Sequence, residues 1–410
     1  MALVVQKYGG TSVGTTERIK RVAARVLDTR QAGHDVVVVA SAMGDTTDEL
    51  IGLAGQVCAD QPPGRELDML LTSGERVSNA LLAMALSDLG CPACSLSGEQ
   101  AGVLTTSVHG RARIVDVSPE RVREELDRGQ VVLVAGFQGI APDTRDVTTL
   151  GRGGSDTTAV AMAAALDADM CEIYTDVDGV CTADPRIVPD ARLLRHVSYE
   201  EMLELAANGA RVLVPRCVEY ARRHGVPLHV RSSFTAACGT VVLTSTEKNT
   251  MEQHMITGVA HDRSMARIVV VGVPDEPGRA ARIFRALADA HVSVDLIVQN
   301  ASAAGTGRTD LAFTLPRGDC APAVATLRAN RGEIGFQDVR CDERVGKVSL
   351  VGAGMRGSPG VAATFCEALA GIGMSLEIMS TSEIRMSVVC RDTEVEGAVR
   401  ALHEAFELGG

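Results

Sequence analysis

The chain has 410 residues, room for two or three domains, and with aromatics at only 3% and no Trp its core must rest on aliphatic packing. A formal net charge of −12 and a pI near 5.3 exclude nucleic acid and anionic membrane surfaces as main partners, so any polyanionic ligand must be met by local positive charge. No apolar run has the length of a membrane span, and Met1-Ala2-Leu3-Val4-Val5 enters a strand without a basic leader, which predicts a cytoplasmic protein.

The first strand leads into Lys7-Tyr8-Gly9-Gly10-Thr11-Ser12. Glycines there let backbone N–H groups approach phosphate oxygens, and the lysine supplies charge. A helix is expected next, because Ile19, Val22, Ala23, Val26 and Leu27 recur at helical spacing behind Thr15 or Thr16 as N-cap, and Gly33 ends it. The run from Gly9 to Gly14 has P-loop glycine spacing, but Thr15-Thr16 stands where Lys-Ser/Thr is required, so this is not a Walker-A loop. Val36 to Ala40 reads as a buried strand and feeds a second small-residue turn, Ser41 to Thr47.

Cys91-Pro92-Ala93-Cys94 has no second C-x-x-C and no histidine at ligand spacing, and the eleven scattered cysteines read as small buried hydrophobes. Ser118 is the expected cap of a helix with Pro119 in its first turn, and Val131 to Ala135 is a buried strand. A second glycine run follows, Thr148-Thr149-Leu150-Gly151-Arg152-Gly153-Gly154-Ser155-Asp156, again opening a helix whose N-terminus favours anions. Ser198 and Glu201 have capping-box spacing ahead of Met202, Leu203 and Leu205. Strand and helix patterns alternate to about residue 243, predicting an α/β domain with a mainly parallel sheet between helices.

The polar run Thr244 to Thr250 breaks the rhythm and marks a domain boundary. Beyond it the chain repeats: Pro277-Gly278, Ala286-Leu287-Ala288 and Asp295 correspond to Pro359-Gly360, Ala368-Leu369-Ala370 and Glu377. Each copy reads as a βαββαβ ferredoxin-like unit. Gly352-x-Gly354-x-x-Gly357 in the second copy imitates a dinucleotide fingerprint, but too little chain follows for that fold, and the first copy has the same strand without the glycines.

On KYGGTS at 7–12, SAMGDTTD at 41–48, LTSGERVS at 71–78, GFQG at 136–139, TTLGRGGSDTTA at 148–159, YTDVDGVCTADPR at 174–186 and EMLELAANGARVLVPRCVEYA at 201–221, the chain resembles an aspartokinase. That is the amino-acid kinase fold followed by two ACT domains, close to the actinobacterial lysine- and threonine-regulated type. The resemblance divides the chain into a catalytic domain at 1–245, a linker with a first regulatory strand at 246–262, and ACT domains at 263–342 and 343–410. It implies transfer of the γ-phosphoryl of MgATP to the side-chain carboxylate of L-aspartate. That carboxylate is ionised near neutrality, so the chemistry needs no general base; the difficulty is bringing two anions together.

Carried onto this chain, the resemblance implies that Lys7 contacts the transferring phosphoryl, that Gly9 and Gly10 offer it backbone N–H groups, and that Asp156 orients Lys7. Arg152 would take the substrate α-carboxylate, Glu75 the α-ammonium, and Ser41, Thr47 and Ser155 further polar contacts. Tyr174, Thr175, Asp176, Asp184, Arg186 and Arg211 match the nucleotide-binding positions; Cys181 and Arg211 stand where family members often have Tyr and Lys. Implied effector positions are Asp275, Gly278, Arg279, Ala280, Asp295, Gln299, Val361, Ala362, Ser375, Leu376, Ser382 and Glu383, with lysine and threonine as the ligands. Here Arg279, Ala362 and Ser375 depart from the residues common in close relatives. Assembly through the ACT domains is expected, and an internal start near Met251 would give a separate regulatory subunit in an α2β2 complex. The alternatives are an amino-acid kinase with another carboxylate substrate, or a non-catalytic amino-acid sensor.

Overall fold

The computed structural model describes residues 2–58, 62–244, 256–299, 307–353, 355 and 360–410. The expected boundary at 245–250, Met251, and the glycines Gly354 and Gly357 lie outside the described residues. The chain forms two compact units. The first takes Met1–Cys181, Leu193–Ala207 and Arg211–Met251; the second takes Glu252–Gly410 together with Thr182–Arg192 and Asn208–Ala210.

The first unit opens with β1 (Leu3–Tyr8), α1 (Thr16–Gln31), β2 (Asp35–Ala40), α2 (Thr46–Val57) and α3 (Gly64–Asp88). Next come β3 (Ala93–Leu96), β4 (Val103–Thr105), β5 (Ile114–Val117), α4 (Glu120–Asp127), β6 (Val131–Ala135), β7 (Gln138–Ile140) and β8 (Val147–Thr149). It closes with α5 (Gly154–Leu166), β9 (Met170–Thr175), β10 (His196–Ser198), α6 (Tyr199–Ala207), α7 (Pro215–His224), β11 (Leu228–Ser232) and β12 (Thr240–Leu243).

Eight strands form one sheet in the order β10-β12-β11-β9-β1-β2-β6-β3, parallel throughout except for the β11–β12 pair. The expected mainly parallel sheet is therefore present. Its central strands are near-continuous apolar runs because helices cover both faces: five of the six residues of β2 and all five of β6 are buried. A smaller sheet, β5-β4-β7-β8, stands beside it. The helix α5 is buried from Gly154 to Ala163, which its run of Gly, Ser, Thr, Ala and Val permits.

The first helix forms as expected, beginning at Thr16 with the Thr15 side chain accepting the Arg18 N–H, after a four-residue 3₁₀ turn at Gly10–Val13 that the pattern did not announce. One local expectation shifts. Pro119, not Ser118, precedes the first helical residue of α4. The Ser198–Glu201 capping box forms as read, with each side chain bonded to the other residue's backbone N–H.

The second unit runs β13 (Gly258–Asp262), β14 (Met265–Pro274), α8 (Arg279–Asp289), β15 (Ile297–Gln299), β16 (Arg308–Pro316), α9 (Cys320–Ala329), α10 (Arg331–Ile334) and β17 (Asp338–Asp342). β18 (Val345–Val351), α11 (Gly360–Gly371), β19 (Ile378–Thr381), β20 (Arg385–Arg391) and α12 (Val395–Ala405) complete it. The first repeat is βαββαβ, with sheet order β15-β16-β14-β17. The second departs from that reading, because its sheet is β13-β18-β20-β19. Its fourth strand comes from before the first repeat, pairing Gly258 with Val351 and Asp262 with Lys347. The residues after α12 are drawn elsewhere: Gly409 bridges to Ala191, and Thr182 lies within hydrogen-bond distance of His403 and the Leu408 carbonyl.

An apolar seam of Leu296, Val345, Ile378 and Val389 joins the repeats. Beside it, Arg267 pairs with Glu377, and Arg391 lies 2.7 Å from Asp342 and 3.6 Å from Glu377. The cysteines are less uniform than expected. Cys171, Cys217, Cys390 and Cys91 are buried thiols as expected, but Cys366, Cys58, Cys94 and Cys181 are only half-buried, Cys238 is exposed, and Cys320 and Cys341 form a disulfide between the start of α9 and β17. Among the described residues no helix is long and apolar enough to cross a membrane.

Candidate active site

Two loops of the first unit leave the carboxyl ends of β1 and β2, the position at which open α/β sheets bind ligands, and a third follows β8 of the smaller sheet. Lys7 projects from β1 and meets Asp156, in the first turn of α5, with Nζ 2.6 Å from Oδ1; both side chains are about nine-tenths buried. A Cβ on Gly9 would lie 3.4 Å from Lys7 Nζ, so glycine keeps the ammonium approachable. Gly10 is fixed by crowding. Its Cβ would meet the carbonyl oxygens of Ala42 and Gly44 at 3.0 Å, and its own carbonyl accepts the Gly44 N–H. The first and second loops are thus packed backbone to backbone.

Glu75 lies on α3, 3% exposed, and its Oε1 accepts the Ala42 N–H at 3.2 Å. Its other oxygen, Oε2, is buried and has no partner among the described residues. Burial pushes this carboxyl up to about 7, against the pull of the Ala42 N–H and the backbone of Glu75 itself. Gly74 beside it is required by contact, since a Cβ would fall 2.8 Å from that of Ala42. Ser78, one turn along, donates to the Ser41 carbonyl at 2.7 Å, so α3 anchors the second loop twice. Thr47 sits in the first turn of α2, half-buried.

The second glycine run enters α5 with Gly153 left-handed (φ 72°) as N-cap, where Val214 leaves no room for a side chain. Ser155 and Asp156 are 8% exposed, and Ser155 packs on Gly136 of the GFQG turn. Arg152 is the open member of the group: its side chain is 94% exposed and its nearest charge is Asp48 at 3.7 Å.

The nucleotide positions are less uniform. Tyr174 does not offer its ring: it is 1% exposed, stacked on Tyr8 at 4.7 Å, covered by the Arg25 guanidinium and bonded to Glu172. β9 is a central strand, buried on both faces from Cys171 to Tyr174, and Tyr174 lies in the core. Its carbonyl is what reaches the glycine run, accepting the Gly9 N–H at 3.3 Å. Thr175 is half-buried, and Asp176 and Arg211 are exposed. Asp184 and Arg186 belong to the second unit and pair with each other at 2.7 Å, a contact that holds the Asp184 carboxyl below its usual range.

Of the effector positions, Asp275, Gly278, Arg279, Ala280 and Gln299 line one cavity of about 330 Å³ in the first repeat. Arg279 is partly committed, bonding Glu276 and the carbonyls of Glu333 and Ile334. Asp295 is taken. Lys347, 2% exposed, places its Nζ 2.5 Å from Asp295 Oδ2. The sequence reading missed Lys347, although a lysine inside the otherwise uncharged strand Val345–Val351 was a visible signal. Val361 is part of the second repeat's core, while Ala362, Ser375, Leu376, Ser382 and Glu383 are exposed.

An amino acid kinase family model matches residues 2–232, and an ACT domain model matches 268–330 and 348–406. The chain is 63% identical to the aspartokinase of Mycolicibacterium smegmatis over 410 residues, all of this chain and 97% of that one. It is 58% identical to that of Corynebacterium glutamicum, again over all of this chain and 97% of the relative. This chain belongs to the aspartokinase family. Among solved aspartokinases, E. coli aspartokinase III in complex with aspartate and ADP superposes with a TM-score of 0.85 at 25% identity, covering 98% of this chain and 99% of that one. The same enzyme in complex with lysine and aspartate gives 0.74, with the same identity and coverage. As a member of the aspartokinase family the chain is an ATP-dependent phosphotransferase with a carboxyl acceptor.

Proposed function

We propose that this chain transfers the γ-phosphoryl of ATP to the side-chain carboxylate of L-aspartate, giving 4-phospho-L-aspartate. The observation that carries the assignment of roles is the pairing of Lys7 with Asp156 between the two glycine loops, together with a Glu75 carboxylate that holds the second loop and has one buried oxygen unused. Lys7 stabilises charge on the transferring phosphoryl, held in place by Asp156, and the backbone N–H at Gly10 is offered to the same phosphate; the Gly9 N–H, expected to do likewise, is instead spent on the Tyr174 carbonyl. Glu75 takes the α-ammonium through Oε2. Arg152 takes the α-carboxylate as a two-pronged donor, and Ser41, Thr47 and Ser155 complete the polar lining. Thr175, Asp176 and Arg211 of the first unit serve the nucleotide, and Tyr174 acts on the site only through its carbonyl, which holds the Gly9 N–H.

Mg2+ enters with ATP. Among the described residues the first unit has no group of three or more His, Cys, Asp or Glu ligand atoms close enough to enclose a metal ion. That donor set fits a cation bound chiefly by phosphate and water, with Asp156 as the buried carboxylate available to it. The metal supplies charge neutralisation to the phosphates.

Threonine and lysine are the proposed feedback effectors, supported by the first-repeat cavity at Asp275 to Ala280 and Gln299. Assembly through the ACT domains, an α2β2 complex from an internal start near Met251, and a cytoplasmic location belong to the same proposal. The test is ATP-dependent acyl-phosphate formation from L-aspartate, trapped as the hydroxamate, with and without the two amino acids. Turnover suppressed by them supports both parts of the reading. Turnover without suppression removes the effectors; none at all leaves the sensor.

A further inference from the structure

One buried acid of the first unit has no place in the chemistry above. Asp68 lies on α3, 1% exposed, and is fully engaged: it accepts the Thr149 hydroxyl at 2.6 Å on Oδ1, the Gly110 N–H at 3.1 Å on both oxygens, and meets His109 Nδ1 at 2.8 Å on Oδ2. A carboxylate is left in the interior only where its partners repay the lost hydration, so this cluster specifies a geometry. The geometry it specifies is that of the Arg152 loop. Thr149 is the last residue of β8, three before Arg152, and its carbonyl accepts the Ala112 N–H. The next carbonyl, Leu150, accepts from Arg216, whose other terminal nitrogen bonds the Ala112 carbonyl. The turn at Gly110 backs the loop so closely that a Cβ on Gly151 would meet the Gly110 oxygen at 3.0 Å. The loop is therefore pinned from behind while the Arg152 side chain stands free.

Asp68 and Glu75 are seven residues apart on α3, two helical turns on one face and about 10 Å along the axis. One anchors the loop that carries Arg152; the other carries the proposed ammonium contact. We propose that α3 is the template that sets the spacing between ammonium and α-carboxylate recognition, and that Asp68 is a positioning residue for Arg152, acting through Thr149. The inference rests on the reading of Arg152 given above.

The experiment is a double-mutant cycle in the full chain with Thr149→Val, which keeps the shape and removes the hydroxyl, Asp68→Asn, and Arg152→Ala. Losing a hydrogen bond to a charged group is expected to raise KM for aspartate by about 10-fold or more, with kcat and KM for ATP changed less than about threefold. In the Arg152→Ala background the same substitution adds little, because its target is gone. Should Asp68→Asn fail to fold, Thr149→Val, which leaves the carboxylate its His109 and Gly110 contacts, carries the test alone. An unchanged KM for aspartate in Thr149→Val, or a loss that adds in full to that of Arg152→Ala, overturns the positioning role while leaving the Arg152 reading intact. An unchanged KM in Arg152→Ala alone overturns the Arg152 reading itself, and the inference with it.

Discussion

Replacing Glu75 by glutamine tests the site where its electrostatics are most perturbed. The carboxyl is buried and titrates near 7 instead of near 4.5. In that interval the folded state holds a proton that the unfolded state has released, so stability falls as pH rises from about 4.5 to about 7 and then levels off. At about 1.4 kcal/mol for each pH unit between those two values, the ionised carboxylate costs the folded protein about 3 kcal/mol above pH 7. Glu75→Gln keeps the size and an acceptor for the Ala42 N–H but cannot ionise. It is expected to match the parent near pH 4.5 and to be the more stable by about 3 kcal/mol at pH 8. For a unit of this size that is roughly 6–12 °C in the unfolding midpoint. Thermal unfolding from pH 5 to 8 measures this directly. Parallel curves for parent and variant would refute the claim that burial holds this carboxyl protonated. The same variant should bind aspartate poorly, because an amide offers the ammonium no charge. In the parent, aspartate binding at pH 7 should release about half a proton, seen calorimetrically in buffers of different ionisation heat.

Other substitutions address separate parts of the molecule. Lys7→Met should lower turnover by about a thousandfold or more, since the phosphoryl loses its preorganised cation, with hydroxamate formation as the readout. Gly10→Ala, whose added carbon presses on two carbonyl oxygens at 3.0 Å, should cost about 1–3 kcal/mol in denaturant unfolding and impair ATP binding. In the regulatory unit the Lys347–Asp295 pair is asymmetric, with Lys347 buried and Asp295 41% exposed. Asp295→Ala should cost about 3 kcal/mol by stranding a buried ammonium, whereas Lys347→Met should be near neutral. Equal effects in chemical denaturation would disprove that asymmetry.

How much of this was legible beforehand depended on whether the information was local. The α1 cap, the Ser198–Glu201 box and the apolar central strands are written in neighbouring residues, and they formed as read. Glycine runs announced the loops because only glycine tolerates the crowding at Gly10 and Gly153. What could not be seen was pairing across long separations. The strand pattern of β9 gives no sign of what Tyr174 meets, and only the assembled sheet shows that its ring stacks on Tyr8. Asp295 looked available because Lys347 is 52 positions away, and Asp68 looked like one more helix acid until Thr149 and Gly110 closed around it.

The placement of β13 has a consequence for how the regulatory half is made. The strand emerges well before it can pair, because its partner edge on β18 is synthesised only after the whole first repeat. A nascent chain must therefore carry Gly258–Asp262 with the edge meant for β18 still unpaired while the intervening repeat collapses around its own core, and this non-local closure is the slow kind of contact to make. Any shorter polypeptide that carries both repeats but begins beyond Gly258 would be born with β18 unpaired on that side. The two repeats are thus successive in the gene but nested in assembly, the first enclosed by the second.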